Sequence, residues 1–204
     1  MNKLVLISIL FLITFFGCRQ PKEISNRYYV IEMPAEQNYA FKDTLPGIDK
    51  FCEVGLVDIF PAFASNRIAV RERSHEIEYF KNHEWATRPA ENFTSIIVDF
   101  FGRYDVFEGV GKRFWKIIPD YRFETTVYQL EVEQKNKKEL AARLNLEFRL
   151  IDNHTNEVII KHSADRRKHL DENKINLFAA AISEMFYQEL TNVTKKIATT
   201  VPEP

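Results

Sequence analysis

The chain has little of what most catalytic and metal-binding sites are built from. It holds two cysteines, Cys18 and Cys52, and five histidines in 204 residues. No paired-cysteine motif and no His-Glu-x-x-His helix occurs, which excludes the common zinc centres, and no metal is expected. His75 and His83 lie near predicted turns, His154 in a hairpin loop, and His162 and His169 in a charged stretch, and all five read as surface or structural residues. The serines of the body lack a Gly-x-Ser-x-Gly elbow, so no hydrolase nucleophile is apparent. Among only six glycines, Gly109-Val110-Gly111-Lys112 lacks the four-residue spacing of a phosphate loop and is followed by Arg113, so a nucleotide site is excluded. No charge of either sign dominates. With 28 Lys+Arg against 29 Asp+Glu the net charge is −1, and no field steers the protein to nucleic acid. A membrane-length apolar run is missing too: the longest, Leu4 to Phe16, spans 13 residues where a helix needs about 20.

What that run does fit is a lipoprotein signal peptide. Lys3 supplies a basic start, residues 4–16 the apolar region, and Gly17-Cys18 the cleavage point, with polar Arg19-Gln20-Pro21-Lys22 immediately after. Residues 1–17 are then removed, and Cys18 carries a diacylglycerol and an N-acyl chain as the chain's covalent lipid, with no other cofactor expected. At about 0.8 kcal/mol per buried methylene, two or three acyl chains hold a protein on a bilayer. Arg19 is not the Asp that retains lipoproteins at the inner membrane, which favours the outer membrane. Loss of residues 1–17, with their one basic residue, leaves 187 residues and 27 Lys+Arg against 29 Asp+Glu. Residues 18–26 form the lipidated cysteine and a polar tether, and residues 27–201 read as one domain. With Cys18 acylated no intramolecular disulfide can form, and Cys52 reads as a small buried hydrophobe.

Along the body, Arg27–Met33 is aromatic and β-branched and predicts a strand closed by Pro34. Residues 37–50 read as a loop, and Phe51–Phe60 as a central strand ended by Pro61. Arg67–Arg73 and Glu76–Lys81 predict a hairpin turning at Ser74-His75. Thr87 is the expected cap of a helix whose first turn holds Pro89, and Phe93, Ile96, Ile97, Phe100 and Phe101 fall on one stripe, with Gly102 ending it. Tyr104–Glu108 predicts a short strand before a loop at Gly109–Lys112. Tyr121–Gln134 predicts a long strand whose apolar face switches near Val127, which signals a bulge. Leu140 to Leu150 alternates cleanly, Glu157–His162 completes an antiparallel meander, and residues 163–174 read as a charged linker. Asn173 is the expected cap of a last helix with Ile175, Phe178, Ile182, Met185, Phe186, Val193 and Ile197 on one face. The fold class is α+β, a mostly antiparallel sheet with two amphipathic helices packed on one face.

Four further pieces carry a resemblance. Tyr28-Tyr29-Val30 follows soon after the cysteine; Pro61-Ala62-Phe63 closes a strand; Arg67-Ile68-Ala69-Val70-Arg71 comes next; and Glu78-Tyr79-Phe80 leads to His83-Glu84-Trp85-Ala86-Thr87-Arg88-Pro89. In this order, behind a lipoprotein signal, they resemble the ABC-type transport auxiliary lipoproteins, the PqiC-like family that accompanies MCE lipid-transport systems. The resemblance implies a non-enzymatic, lipid-anchored auxiliary subunit at the outer membrane, facing the periplasm. Its partner would be an MCE-domain protein of a lipid ABC transporter, and it could form a homo-oligomer. Pro61, Arg71, Trp85 and Pro89 read as structural. Trp85 should anchor the helix entry, and Arg71 should bond preceding loop carbonyls or Glu78. Candidate partner contacts are the strand edge at Glu76–Lys81, with Tyr79 and Phe80, and the stretch Phe114-Trp115-Lys116-Ile117-Ile118. Two other readings stand beside it: a lipoprotein holding a lipid or ligand in a Phe-lined pocket between helix and sheet, and a barrel-associated outer-membrane assembly lipoprotein.

Overall fold

The computed structural model describes residues 25–33, 47–136, 139–171 and 174–201. The signal segment, Cys18, the strand-closing Pro34 and the expected cap Asn173 lie outside them. The strands are β1 (Arg27–Tyr29), β2 (Ile48–Val54), β3 (Asp58–Ile59), β4 (Arg67–Arg73), β5 (Glu76–Trp85), β6 (Phe107–Gly111), β7 (Tyr121–Asn136), β8 (Glu139–Asp152) and β9 (Val158–Leu170). The helices are α1 (Pro89–Arg103) and α2 (Ile175–Thr200).

The fold is α+β, but the sheet is mixed rather than mostly antiparallel. β7, β8 and β9 form the expected antiparallel meander, and β4 and β5 the expected hairpin. Along the other edge of β7, however, β2, β3 and β4 follow one another end to end and all run parallel to it, pairing near Phe123, Val127 and Val132. β2 pairs β6, and β1 pairs β5, in parallel as well. A parallel neighbour needs a long crossover, and here β5, α1 and β6 supply it between residues 73 and 121. Hydrophobic alternation has the same period in either direction, so it does not report strand polarity.

The expected strand Phe51–Phe60 is broken. Gly55 donates to the Phe123 carbonyl (3.0 Å), and the backbone then turns so that the Val57 amide donates to Thr94 Oγ1 on α1 (3.0 Å), before the Phe60 amide returns to the Val127 carbonyl (2.9 Å). Ile48–Lys50, expected as loop, already belong to β2, and Gly109–Gly111 to β6. The bulge is where the alternation placed it. Val127 pairs Leu146 and Gln129 pairs Asn145, which leaves Tyr128 as the extra residue, and the inward set changes from Phe123 and Val127 to Leu130 and Val132.

Thr87 does not cap α1. The Pro89 ring forces Arg88 into extended backbone (φ −60°, ψ 132°), so the boundary falls at Arg88 with no side-chain cap. The helix also runs past Gly102 to Arg103 and turns at Asp105, whose φ is 48°. Residues 163–170 are not a linker but the second half of β9, paired with β8 as far as Leu140↔Leu170. Backbone ladders are indifferent to side chains, and here the charges are paired: Arg143 with Asp165 (2.9 Å) and Arg167 with Glu133 (2.6 Å) on one face, Arg166 and Lys168 with Glu189 and Glu184 of α2 on the other.

Both helices pack on one face. Phe93 of α1 meets Phe186 of α2 (centroids 4.4 Å apart), Phe101 meets Phe123, Phe123 meets Phe148, and Phe148 meets Phe186. These rings are at most 1% exposed and fill the space between helices and sheet with one another, where the sequence allowed a Phe-lined pocket. Cys52 is fully buried, and burial pushes its thiol pKa far up, as expected of a packing residue.

Candidate functional site

Trp85 ends β5 at 3% exposure, and its ring packs on Phe178 of α2 (5.6 Å), so it ties the last strand residue before α1 to the other helix. Pro89 occupies the first turn of α1, and Pro61 opens a single 3-10 turn after β3. Arg71 departs from its expected partners. Its Nε lies 2.8 and 3.0 Å from the two carboxylate oxygens of Glu131 on β7, and its Nη1 donates to the Ser74 carbonyl of the following turn (3.0 Å). Glu131 is wholly buried, so Arg71 ties β4 to β7 through a buried carboxylate as well as to the turn after it.

The candidate contacts fall at two ends of the molecule. At one end, β1 pairs only His83–Trp85 of β5, so the outer edge of β5 from Glu76 to Asn82 has no strand partner among the described residues. Tyr79 and Phe80 are half-buried on that strand. The Tyr79 hydroxyl donates to the Ala62 carbonyl (3.0 Å), and the Arg67 guanidinium lies 3.8 Å over its ring, so Tyr79 is committed to the fold. Phe80 instead meets the edge of His83 (6.1 Å) at a cavity of about 510 Å³ between β1, β5 and the first turn of α2. The Tyr29 hydroxyl and His83 Nδ1 are 2.8 Å apart, with the rings stacked at 19°. Burial first, and the nearby Arg27 charge second, hold the His83 pKa below its ordinary value.

At the other end, residues 112–120 link β6 to β7. Gly109 makes this anchoring possible: a Cβ there would sit 2.4 Å from the Phe51 ring, so only glycine lets Phe51 lie across β6 and receive Phe114 edge-on (5.9 Å). Past that anchor the loop turns outward. Trp115 is 80% exposed and Ile118 81%, with the Arg113 guanidinium 4.1 Å over the Trp115 ring. A tryptophan and two isoleucines held in water by a loop with Lys112, Arg113 and Lys116 form an apolar patch with a cationic rim. Phe114 is thus support, and Trp115, Ile117 and Ile118 are the presented surface.

No sequence signal singled out Glu189. It sits on the apolar face of α2, 1% exposed, with His162 Nε2 at 2.7 Å and Arg166 Nε at 2.6 Å. A lone acidic residue three after Phe186 on a helix stripe was the available clue. Among the described residues no group of three or more His, Cys, Asp or Glu is placed to hold a metal ion, and no helix is long and apolar enough to cross a membrane.

This curled mixed sheet under two helices is an architecture met in solved structures. A Xanthomonas campestris protein of the DUF330 family is 18% identical and superposes with a TM-score of 0.72, covering 85% of this chain and 96% of that one. An uncharacterised protein, 13% identical, gives 0.66 over 85% and 99%. A PelC protein of Paraburkholderia phytofirmans, solved as a dodecamer, aligns more loosely, with a TM-score of 0.43 at 9% identity over 72% and 93%. No curated protein matches the sequence. The chain belongs to the family of ABC-type transport auxiliary lipoprotein components, whose model matches residues 29–198.

Proposed function

We propose that the protein is a non-enzymatic, lipid-anchored subunit of an MCE-type ABC phospholipid transport system that docks the periplasmic MCE assembly to the outer membrane. The observation that carries this reading is the family match across nearly the whole described fold. The lipid on Cys18 would supply membrane residence, and the exposed loop at Trp115 the contact.

The geometry supports that division of labour. The chain enters the fold at Arg27, which shares a cavity with Gln134 near the end of β7, whereas the loop leads into Tyr121 at the start of β7. At about 3.3 Å per residue the two lie roughly 40 Å apart along the strand. The nine residues from Cys18 to Arg27 reach about 30 Å when fully extended. An upright domain therefore presents Trp115 and Ile118 away from the membrane that holds its acyl chains, toward a partner in the periplasm.

The test is purification of the lipidated protein from native membranes under mild cross-linking, with co-purifying proteins identified by mass spectrometry. Recovery of an MCE-domain protein, lost in a Trp115→Ser, Ile118→Ser variant, supports the reading. Repeated recovery of a barrel protein in its place overturns it.

A further inference from the structure

A groove of about 740 Å³ runs between the segment that follows Arg27 and the first three turns of α2. Exposure alternates along that segment. Tyr29 turns to His83, and Ile31 is 2% exposed with its carbonyl accepting from Asn92 Nδ2 of α1 (2.8 Å). Tyr28 and Val30, which alternate with them, are 60% and 43% exposed and line the groove. Ala179 and Ala180 of α2 form the opposite wall. The floor has no need of water. Ser183 is the one buried polar side chain of the described lining, and its hydroxyl accepts from the Glu32 amide (3.0 Å) and donates to the Ala179 carbonyl (2.8 Å). A groove of this size, with apolar walls and a floor whose polar atom is already satisfied, fits a hydrocarbon chain.

Charge at the rim narrows the ligand further. The described lining includes Glu32 and Glu184 but no Lys, Arg or His, and Glu184 has its own partner in Lys168. A fatty acid or a phospholipid would bring its carboxylate or phosphate toward these two carboxylates. An acyl chain joined through an amide brings no charge, and the Asn176 side chain of the lining can both donate to an amide and accept from it.

A lipidated chain carries such a group itself. The N-acyl chain expected on Cys18 is amide-linked, and Cys18 lies ten residues before Tyr28, a reach of at most about 35 Å. A ligand tethered this closely acts at an effective concentration on the order of millimolar. Moving one chain from bilayer to groove exchanges one apolar medium for another, while Tyr28 and Val30 leave water. The two chains of the diacylglycerol remain in the membrane and suffice to hold the protein there.

We propose that this groove binds the N-acyl chain of Cys18, so that the diacylglycerol anchors the domain and the third chain holds its Tyr28 end against the bilayer. The proposal rests on the acylation of Cys18 in the function proposed above.

The lipidated protein is produced in cells fed a diazirine-bearing fatty acid, reconstituted in vesicles of phosphatidylethanolamine and phosphatidylglycerol, illuminated, and digested for mass spectrometry. The expected product is the Cys18 peptide joined to the α2 peptide that holds Ala180. Its yield should fall at least tenfold in Ala180→Trp, which fills the groove from an exposed position, and again in Val30→Glu on the other wall. Both variants should keep the near-ultraviolet circular dichroism of the parent. Cross-links from Cys18 to vesicle lipid alone, a phospholipid adduct on the α2 peptide in place of the expected product, or an unchanged yield in the two variants overturns the proposal. Intact mass taken before illumination separates the two readings. A Cys18 without an N-acyl chain removes the anchor together with the occupant, whereas an acylated chain that misses the groove overturns this proposal alone.

Discussion

Two carboxylates, Glu131 and Glu189, are withdrawn from water, and each is paired by a different device. Glu131 has the two-pronged Arg71 contact; Glu189 has His162, Arg166 and Asn192 from two elements. Burial pushes the Glu189 pKa up, but the hydrogen bonds from His162, Arg166 and Asn192 together outweigh it and hold the carboxyl below its usual range. A depressed folded-state pKa means that the stabilisation is full above the unfolded value of about 4.3 and is lost as pH falls through the folded one. Glu189→Gln should cost about 2 kcal/mol at pH 7, toward the low side because Arg166 is half exposed. It should also flatten the acid limb, read as urea midpoints at pH 7 and pH 4. Equal loss at both pH values would show that packing, and not charge, is what Glu189 supplies. Cys52 makes the opposite case of a titratable group with no charge to keep. Dithionitrobenzoate should leave the native mature protein unlabelled and find one thiol, Cys52, after guanidinium unfolding. A fast thiol in the native state would place a free cysteine at position 18 and contradict its acylation.

Elements were legible wherever the pattern is local. The stripe from Phe93 to Phe101, the alternation from Leu140 to Leu150 and the bulge beside Val127 each follow from side chains a few residues apart, and each is found in the fold. Strand direction was not legible, because β2, β3 and β4 acquire their parallel relation to β7 through a crossover nearly fifty residues long. The outer half of β9 was missed because its inward side chains meet carboxylates of α2 where a core strand would place apolar groups. The site divides in the same way. Trp85 beside Pro89 announces a helix anchor in the sequence, whereas Tyr28 and Val30 share a groove with Ala180 only once two distant elements are assembled. The bulge allows a sharp test of register. Removing Tyr128 joins Val127↔Leu146 to Gln129↔Asn145 without changing which side chains face the helices, so the variant should fold at a cost of about 2 kcal/mol, within the usual range for a single change, as β3 and β4 re-space along β7. Removing Leu144 from β8 instead sends one side of that strand to the wrong face, and no cooperative unfolding should remain by near-ultraviolet circular dichroism.

At the scale of the molecule, the two tryptophans separate what holds the fold from what the fold presents. Trp85 joins β5 to α2 inside the aromatic core, and Trp115 stands in water at the far end of β7. Trp85→Ala opens a cavity among Phe178 and its neighbours and should cost about 3–5 kcal/mol, a large fraction of what a chain of this size has. Trp115→Ser removes a side chain that buries little, so the urea midpoint should hold to within about 0.5 kcal/mol. Acrylamide quenching of tryptophan emission gives the structural control: the accessible component should vanish in Trp115→Ser, and the protected one in Trp85→Ala. Partner recovery should then follow the reverse order of stability. If the exposed loop is a docking centre, its tryptophan belongs to the class of residues whose loss costs 2 kcal/mol or more in binding, a fall of about thirtyfold in affinity. A domain of unchanged stability that no longer retains its partner would place the contact at Trp115. A Trp115→Ser protein that retains its partner while losing stability would return the loop to the fold and move the search for the contact to the open edge of β5.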